Sequence, residues 1–253
     1  MIEYQVVRSR RKTLSLQVKR GHVVVRAPYH VDEKFINLFI QKKEAWLKAK
    51  ITEQNQTVDL CCNFTQGSQL FLFGQLVSLN IIFTDSDEAA NKQIQQQPDV
   101  FLSNVVNGQQ DLNIVLPTRI QHKQLNELQL SAVVKKHIER YFKQQAQNIL
   151  LPKVDYYAKL TQLNPTAIKI RQYRARWGSC NNKGELSFNY LLMMVPAQVI
   201  DYVVVHELCH LRFLNHSTYF WHLVAQYFPD YLEAKMWLKS NQSALHWHLP
   251  TNL

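Results

Sequence analysis

Apolar and polar positions alternate through the first thirty residues. Leu14, Leu16 and Val18 repeat with a period of two, as do Val23 and Val25, and the two runs flank Arg20-Gly21. That period puts successive side chains on opposite faces of a strand, so the pattern predicts an antiparallel hairpin. The period then lengthens. After Asp32, whose carboxylate suits a helix N-cap, Phe35, Leu38, Phe39, Lys42 and Trp46 recur at helical spacing, which predicts a helix with that stripe in the core. Residues 69 to 83 predict two strands around Gly74, and Asn113 to Leu116 a further one. Between them, Thr84 to Asp111 is polar and glutamine-rich, with Gln95-Gln96-Gln97-Pro98 and Asn107-Gly108, and reads as a long loop or an insertion in a hairpin.

Helical spacing returns near Ser131. Val133, Val134, His137, Ile138, Tyr141 and Phe142 mark an amphipathic helix to about Leu150, and a second helical piece is expected after Pro152 toward Leu163. Ile168 to Tyr173 alternates as a strand, and Asn182-Lys183-Gly184 turns the chain into another, Glu185 to Tyr190, so 168 to 190 reads as a hairpin. The run from Val195 to Val205 reads as a buried helix opening at Pro196, where a missing backbone N–H costs nothing. No internal repeat is visible. The division expected is a β-rich N-terminal region, 1–130, with one helix and a polar insertion at 84–111, followed by a second domain, 131–253.

The chemistry sits at the end of that apolar helix. His206-Glu207-Leu208-Cys209-His210, followed by His216, puts two imidazoles one helical turn apart on one face, a carboxylate beside them, and a third imidazole after a chain reversal. Three protein ligands hold a zinc ion while leaving a position for water, whose pKa the metal lowers to about 7. In that scheme Glu207 is the general base acting on metal-activated water. The spacing matches H-E-x-x-H-x-x-G-x-x-H, but Phe213 replaces the turn glycine, so Asn215 is the expected pivot and Ser217 the expected N-cap of a helix from Thr218 to Phe228. His222 and Glu233 are the competing third ligands.

The runs Arg174-Ala175-Arg176-Trp177-Gly178-Ser179-Cys180, Phe188-Asn189, Ile200 to His210, Asn215-His216-Ser217, Phe220-Trp221, Pro229-Asp230-Tyr231 and Lys235 to Leu238 resemble the YgjP-like family of predicted metal-dependent hydrolases. A looser likeness through Arg10 to Leu16, Gly21 to Val25, Pro28 and Trp46 extends it over nearly the whole chain. The family is grouped with zincin metallopeptidases and is more distantly similar to SprT-like and WLM domains, some of which degrade proteins crosslinked to DNA. The resemblance implies His206, His210 and His216 as metal ligands and Glu207 as the catalytic residue. With the element pattern, it gives an α+β fold: a zincin-like metallopeptidase core with a small antiparallel sheet, preceded by the β-rich half. In such a core an edge strand can pair with an extended substrate, and the 168–190 hairpin is the candidate. Arg174, Arg176 and Trp177 at its tip are then candidate substrate-binding residues, for an oxyanion or an anionic group. The competing reading makes Trp177 a core aromatic and pairs the arginines with acidic side chains.

Composition narrows the setting. The 253 residues, 46% hydrophobic, suffice for one or two cores, and no apolar run reaches the length of a signal peptide or membrane span. Four cysteines, two of them adjacent, form no disulfide framework for this length, so reduced thiols in the cytoplasm are expected. Cys209 reads as a small core residue, and His137 as a hydrogen-bonded core group rather than a ligand. The formal charge of +10 favours anionic partners, with Arg8, Arg10, Arg11, Lys12, Lys19, Arg20 and Arg26 set against Glu3 alone. Three function classes stand: a zinc metallopeptidase acting on peptide or protein, a metal-dependent nucleotide or phosphoester hydrolase, and a zinc-containing nucleic-acid- or ribosome-associated binding protein.

Overall fold

The structure is a computed structural model and describes residues 2–19, 22–56, 62–84, 99–103, 105, 110–123, 125–173, 176–242, 244, 245 and 247. The chain divides into two compact units, Met1–Leu60 and Cys61–Leu253. In the first, β1 (Tyr4–Ser9), β2 (Ser15–Lys19) and β3 (His22–Pro28) form a sheet in the order β1-β3-β2. The expected hairpin is β2–β3, antiparallel with Leu16 opposite Val25, and its turn at Arg20-Gly21 lies outside the described residues. The parallel β1–β3 pairing was not predicted. Helices α1 (Glu33–Lys42) and α2 (Glu44–Gln56) follow, and Asp32 caps α1 by accepting a hydrogen bond from the Phe35 N–H at 2.7 Å.

The expected helical stripe is corrected by the structure, which ends α1 at Lys42 and places Trp46 on α2. Phe35, Leu38 and Trp46 are exposed, and the core of this unit is Val23, Val25, Ala27, Ile36, Ile40 and Leu47. The sequence between 35 and 40 is apolar at five of six positions, so helical spacing alone fits more than one face.

In the second unit β4 (Gln69–Leu72), β5 (Gln75–Thr84), β6 (Val100–Leu102) and β7 (Asp111–Pro117) form a sheet in the order β4-β5-β7-β6. Strand β6 lies within the stretch expected to be loop, and residues 85–98 of that stretch are outside the described residues. After the short α3 (Thr118–Gln121) comes α4 (Glu127–Thr161), started by a capping box between Asn126 and Gln129. Pro152 does not divide it. The proline and Asn148, whose carbonyl loses its helical partner, both face solvent, so water can take the freed acceptor. Along α4, Val134, Ile138, Phe142, Ala146, Leu150 and Val154 recur every four residues and pack into one core with Leu70, Leu79, Leu112 and Ile114 of the sheet. The boundary expected near residue 130 therefore falls inside α4 and inside a single core.

A second sheet is built from β8 (Ala167–Arg171), β9 (Gly178–Cys180) and β10 (Glu185–Asn189) in the order β8-β10-β9. It is mixed rather than antiparallel. β10 pairs antiparallel with β9 and parallel with β8, so the hairpin is β9–β10, and β9 is the edge next to it. A 3₁₀ turn, Tyr190–Met194, leads into α5 (Ala197–Cys209), which starts after Pro196, and α6 (Thr218–Tyr227) and α7 (Tyr231–Asn241) complete the α+β core. Val199, Ile200, Val203 and Val204 of α5 are buried as expected. Among the described residues no helix is long and apolar enough to cross a membrane.

Two contacts fix α5 in place. Lys153 of α4 pairs with Asp201 on its second turn. The tip of the β4–β5 hairpin, Phe73-Gly74, donates its backbone N–H groups to the carbonyls of Met193 and Met194 at 2.7 and 3.0 Å, just before the helix starts. Both tip residues have positive φ, 50° and 80°, as a two-residue hairpin turn twisted with its strands requires. A Cβ on Gly74 would stand 2.6 Å from Pro196 Cγ, so the turn can approach the helix start this closely only without a side chain.

Candidate metal centre

Helix α5 ends where its chemistry begins. His206 lies in its last turn and His210 caps its C-terminus, four residues on. The chain then turns through hydrogen bonds from Leu211, Arg212 and Phe213 N–H groups to the carbonyls of Leu208 and Cys209. Asn215 is not the left-handed pivot expected, since among the described residues positive φ outside glycine occurs only at Phe64, Phe73 and Gln162. The tight helical turn after Cys209 makes the reversal without it. Ser217 caps α6 as predicted, accepting from the Phe220 N–H, and this fixes His216 one residue before the cap.

The reversal brings three imidazoles together. His206 Nε2 lies 3.2 Å from His210 Nε2 and 3.1 Å from His216 Nε2. Among the described residues this is the single group of histidine, cysteine or carboxylate side chains close enough to hold a metal ion. His222 is exposed on α6, Glu233 is exposed on α7, and neither joins it. His210 Nδ1 is 2.9 Å from the Phe213 carbonyl oxygen, an acceptor, so Nδ1 carries the proton and Nε2 presents its lone pair to the cluster. His206 Nδ1 lies 3.4 Å from the Tyr202 hydroxyl, one turn back on α5, which can accept its proton in the same way.

The donor set fits a zinc ion. Nitrogens bound tetrahedrally at about 2.05 Å stand roughly 3.3 Å apart, close to the separations found here. Burial, then the repulsion that protonated neighbouring imidazoles and Lys235 would exert, holds His206 down to about 3, and burial also lowers His210. Both are therefore neutral at physiological pH, the form that ligates a metal. The surroundings are aromatic. The buried Phe220 ring stacks under His210 at 4.5 Å and meets His206 and His216 edge-on at 5.0 and 4.8 Å. Trp221 stacks on His216 at 5.5 Å and on Tyr231 at 5.3 Å, and Lys235 Nζ sits 4.2 Å over the indole.

Glu207, the residue after His206 in the last turn of α5, is buried, and burial pushes its carboxyl up to about 8, with the Arg176 charge pulling the other way. Its side chain lies against β9, and a Cβ built on Gly178 would come within 2.6 Å of its Cγ and Oε1. Asn189 bends the chain that carries β9 into this position. Its side-chain amide donates to the carbonyls of Tyr173 and Arg176, and its backbone N–H donates to the Trp177 carbonyl.

The remaining sequence candidates divide. Arg174 lies outside the described residues. Arg176 is exposed, with its guanidinium 5.6 Å over the Tyr173 ring. Trp177 is half-buried against the core. Cys209 is fully buried, while Cys180 on β9 is half-buried near the Glu207 charge. His137, far from the cluster in sequence, bonds to Arg140 at 2.9 Å with Asp99 at 3.7 Å. Sequence reasoning gave no role to Gly178, Tyr202, Phe220 or the Phe213 carbonyl. Only Tyr202 left a usable signal there, the four-residue spacing from His206.

A family model described as YgjP-like, metallopeptidase domain, matches residues 12–241. No curated protein matches the chain. Among solved structures, the metallopeptidase zymogen of Pyrococcus abyssi abylysin is similar at 17% identity over 40% of this chain and 99% of that one, with a TM-score of 0.34, which is too slight to carry an argument.

Proposed function

Because the chain belongs to the YgjP-like metallopeptidase-domain family, we propose that it is a zinc-dependent peptidase that hydrolyses peptide bonds at the His206, His210 and His216 cluster. The convergence of three imidazole Nε2 atoms beside a buried carboxylate carries this reading. When bound, zinc supplies Lewis acidity toward a carbonyl and acidifies water.

The chain's own residues do the rest. Glu207, held basic by its buried setting, accepts a proton from the attacking water and delivers it to the leaving amine. Phe220 and Trp221 pack against the imidazoles, of which His216 stays exposed, and the Phe213 carbonyl and Tyr202 hydroxyl hold the other two rings in orientation. The outer edge of β9 offers backbone groups to an extended peptide, which gives recognition with little sequence preference. Arg176 stands nearby to receive an oxyanion or an acidic group, and Arg174 is carried with it as a candidate. The nucleotide-hydrolase and binding-module readings gain no support from the family match.

The test pairs wild type with Glu207→Gln, each with its metal quantified, against an unfolded, fluorescently labelled protein mixture. Cleavage by wild type alone, with equal zinc in both, is the expected result. Equal cleavage by the two proteins, or none by zinc-loaded wild type, overturns the proposal.

A further inference from the structure

A cavity of about 890 Å³ in the second unit shares no lining residue with the histidine cluster. One wall is a single face of α4, on which Lys136, His137, Arg140, Lys143, Gln144 and Gln147 recur at three- and four-residue spacing. The adjoining face of the same helix carries the core residues Val134, Ile138, Phe142 and Ala146. The facing wall is the end of β7 and the start of α3, including Arg119. Its size is that of a small-molecule site, but its wall is polar where such sites are mostly apolar.

The charges in it do not cancel. Four permanent cations, Arg119, Lys136, Arg140 and Lys143, face two carboxylates, Asp99 and Glu139. Asp99 is taken by Arg140 at 3.0 Å, and Glu139 has a further lysine, Lys135, at 3.7 Å. Among the described residues, Arg119, Lys136 and Lys143 have no carboxylate within ion-pair distance, and Lys143 Nζ instead stands 5.3 Å over the Tyr190 ring. Tyr190, whose hydroxyl lies beside Glu139, is buried behind this wall.

We propose that this cavity is a binding site for a small phosphate-bearing molecule, separate from the metal centre. Three cations without carboxylate partners exceed what a carboxylate's single charge can use, whereas a phosphoryl group presents three acceptor oxygens and about two charges. Lysine and arginine donors from two walls would close on it, and His137, held neutral by burial and by Arg140, adds no charge of its own.

The test is titration calorimetry on the full chain at low salt with three probes: inorganic phosphate, adenosine monophosphate and succinate. Saturable binding of the two phosphate probes is expected, weakened by added salt. Lys136→Glu and Lys143→Glu are expected to lower that affinity about tenfold or more, while Lys159→Glu, an exposed lysine on the last turns of α4, leaves it unchanged. Thermal unfolding of each variant separates lost binding from lost folding. His210→Ala should bind the phosphate probes as wild type does, so this site and the peptidase reading fail separately. Absence of saturable phosphate binding, wild-type affinity in both glutamate variants, or succinate binding as tight as phosphate overturns the proposal.

Discussion

Gly178 and Glu207 share a space that admits one side chain: a Cβ on residue 178 would lie 2.6 Å from both Cγ and Oε1 of the glutamate. The edge strand and the candidate base are thus a single fitted unit. Gly178→Ala has to displace either β9 or the carboxylate, and a shift near 1 Å at a reacting group costs about 100-fold in rate. The expected outcome is wild-type zinc content with kcat against the labelled unfolded substrate down by roughly that factor. Unchanged kcat would mean that Glu207 can work from another position.

His210→Ala removes a neutral imidazole from the cluster and leaves a cavity over Phe220. Zinc content should fall from about one per chain to near zero, and added zinc should no longer raise the unfolding temperature. His222→Ala, which alters an exposed histidine outside the cluster, is the matched control and should keep both. Metal analysis after dialysis against a weak chelator, with thermal melts, reads the two variants side by side.

Tyr202→Phe deletes the hydroxyl beside His206 Nδ1 while keeping the ring that packs against Phe228. Outer partners of this kind are worth about 10- to 100-fold in metal affinity. A competition titration with a zinc indicator should show that loss without a change in fold. If zinc binding is unaltered, the contact at 3.4 Å is packing and not orientation.

Protonation gives a prediction for the metal-free protein. Burial raises the Glu207 carboxyl from 4.5 to about 8, so the folded chain holds this proton more tightly than the unfolded one. Its contribution to stability is present in full below pH 4.5 and is lost as pH rises through about 8. His206 runs the other way, gaining stability as pH climbs from about 3 to 6.5. Glu207→Gln cancels only the first effect. Urea midpoints measured between about pH 5 and 9 should therefore show the variant gaining on wild type as pH rises, with a plateau above 8. A constant difference across the range would show the carboxyl to be hydrated.

The spacing of His206 and His210 was legible because helical geometry fixes which residues meet, and Ser217 because its hydroxyl suits a helix N-cap. His216 instead arrives through a turn that needs no left-handed residue at Asn215. Pairing between strands was not legible. Adjacent strand-like runs at 168 and 185 suggest a hairpin, yet the short β9 comes between them in sequence and pairs on the far side of β10, which leaves β8 and β10 as parallel neighbours. In α1 the apolar residues exceed one face, so the sequence left Ile36 and Ile40 indistinguishable from Phe35 and Leu38 as core positions. Pro152 misled because a proline's cost depends on whether solvent reaches the orphaned carbonyl, which the sequence does not state. Gly178 gave no signal beyond its place in a motif, since its role depends on a side chain that only the fold brings to it.

Hairpin tips are ordinarily where a chain accepts inserted residues and drifts most freely over evolution. The tip at Phe73-Gly74 is different, because it is pressed against Pro196 and bonded to the carbonyls that precede α5. Variation there is bounded by the metal helix's own starting point. A loop remote in sequence from the histidines is thus under the same constraint as they are, and lengthening it by a residue would move the helix that carries them.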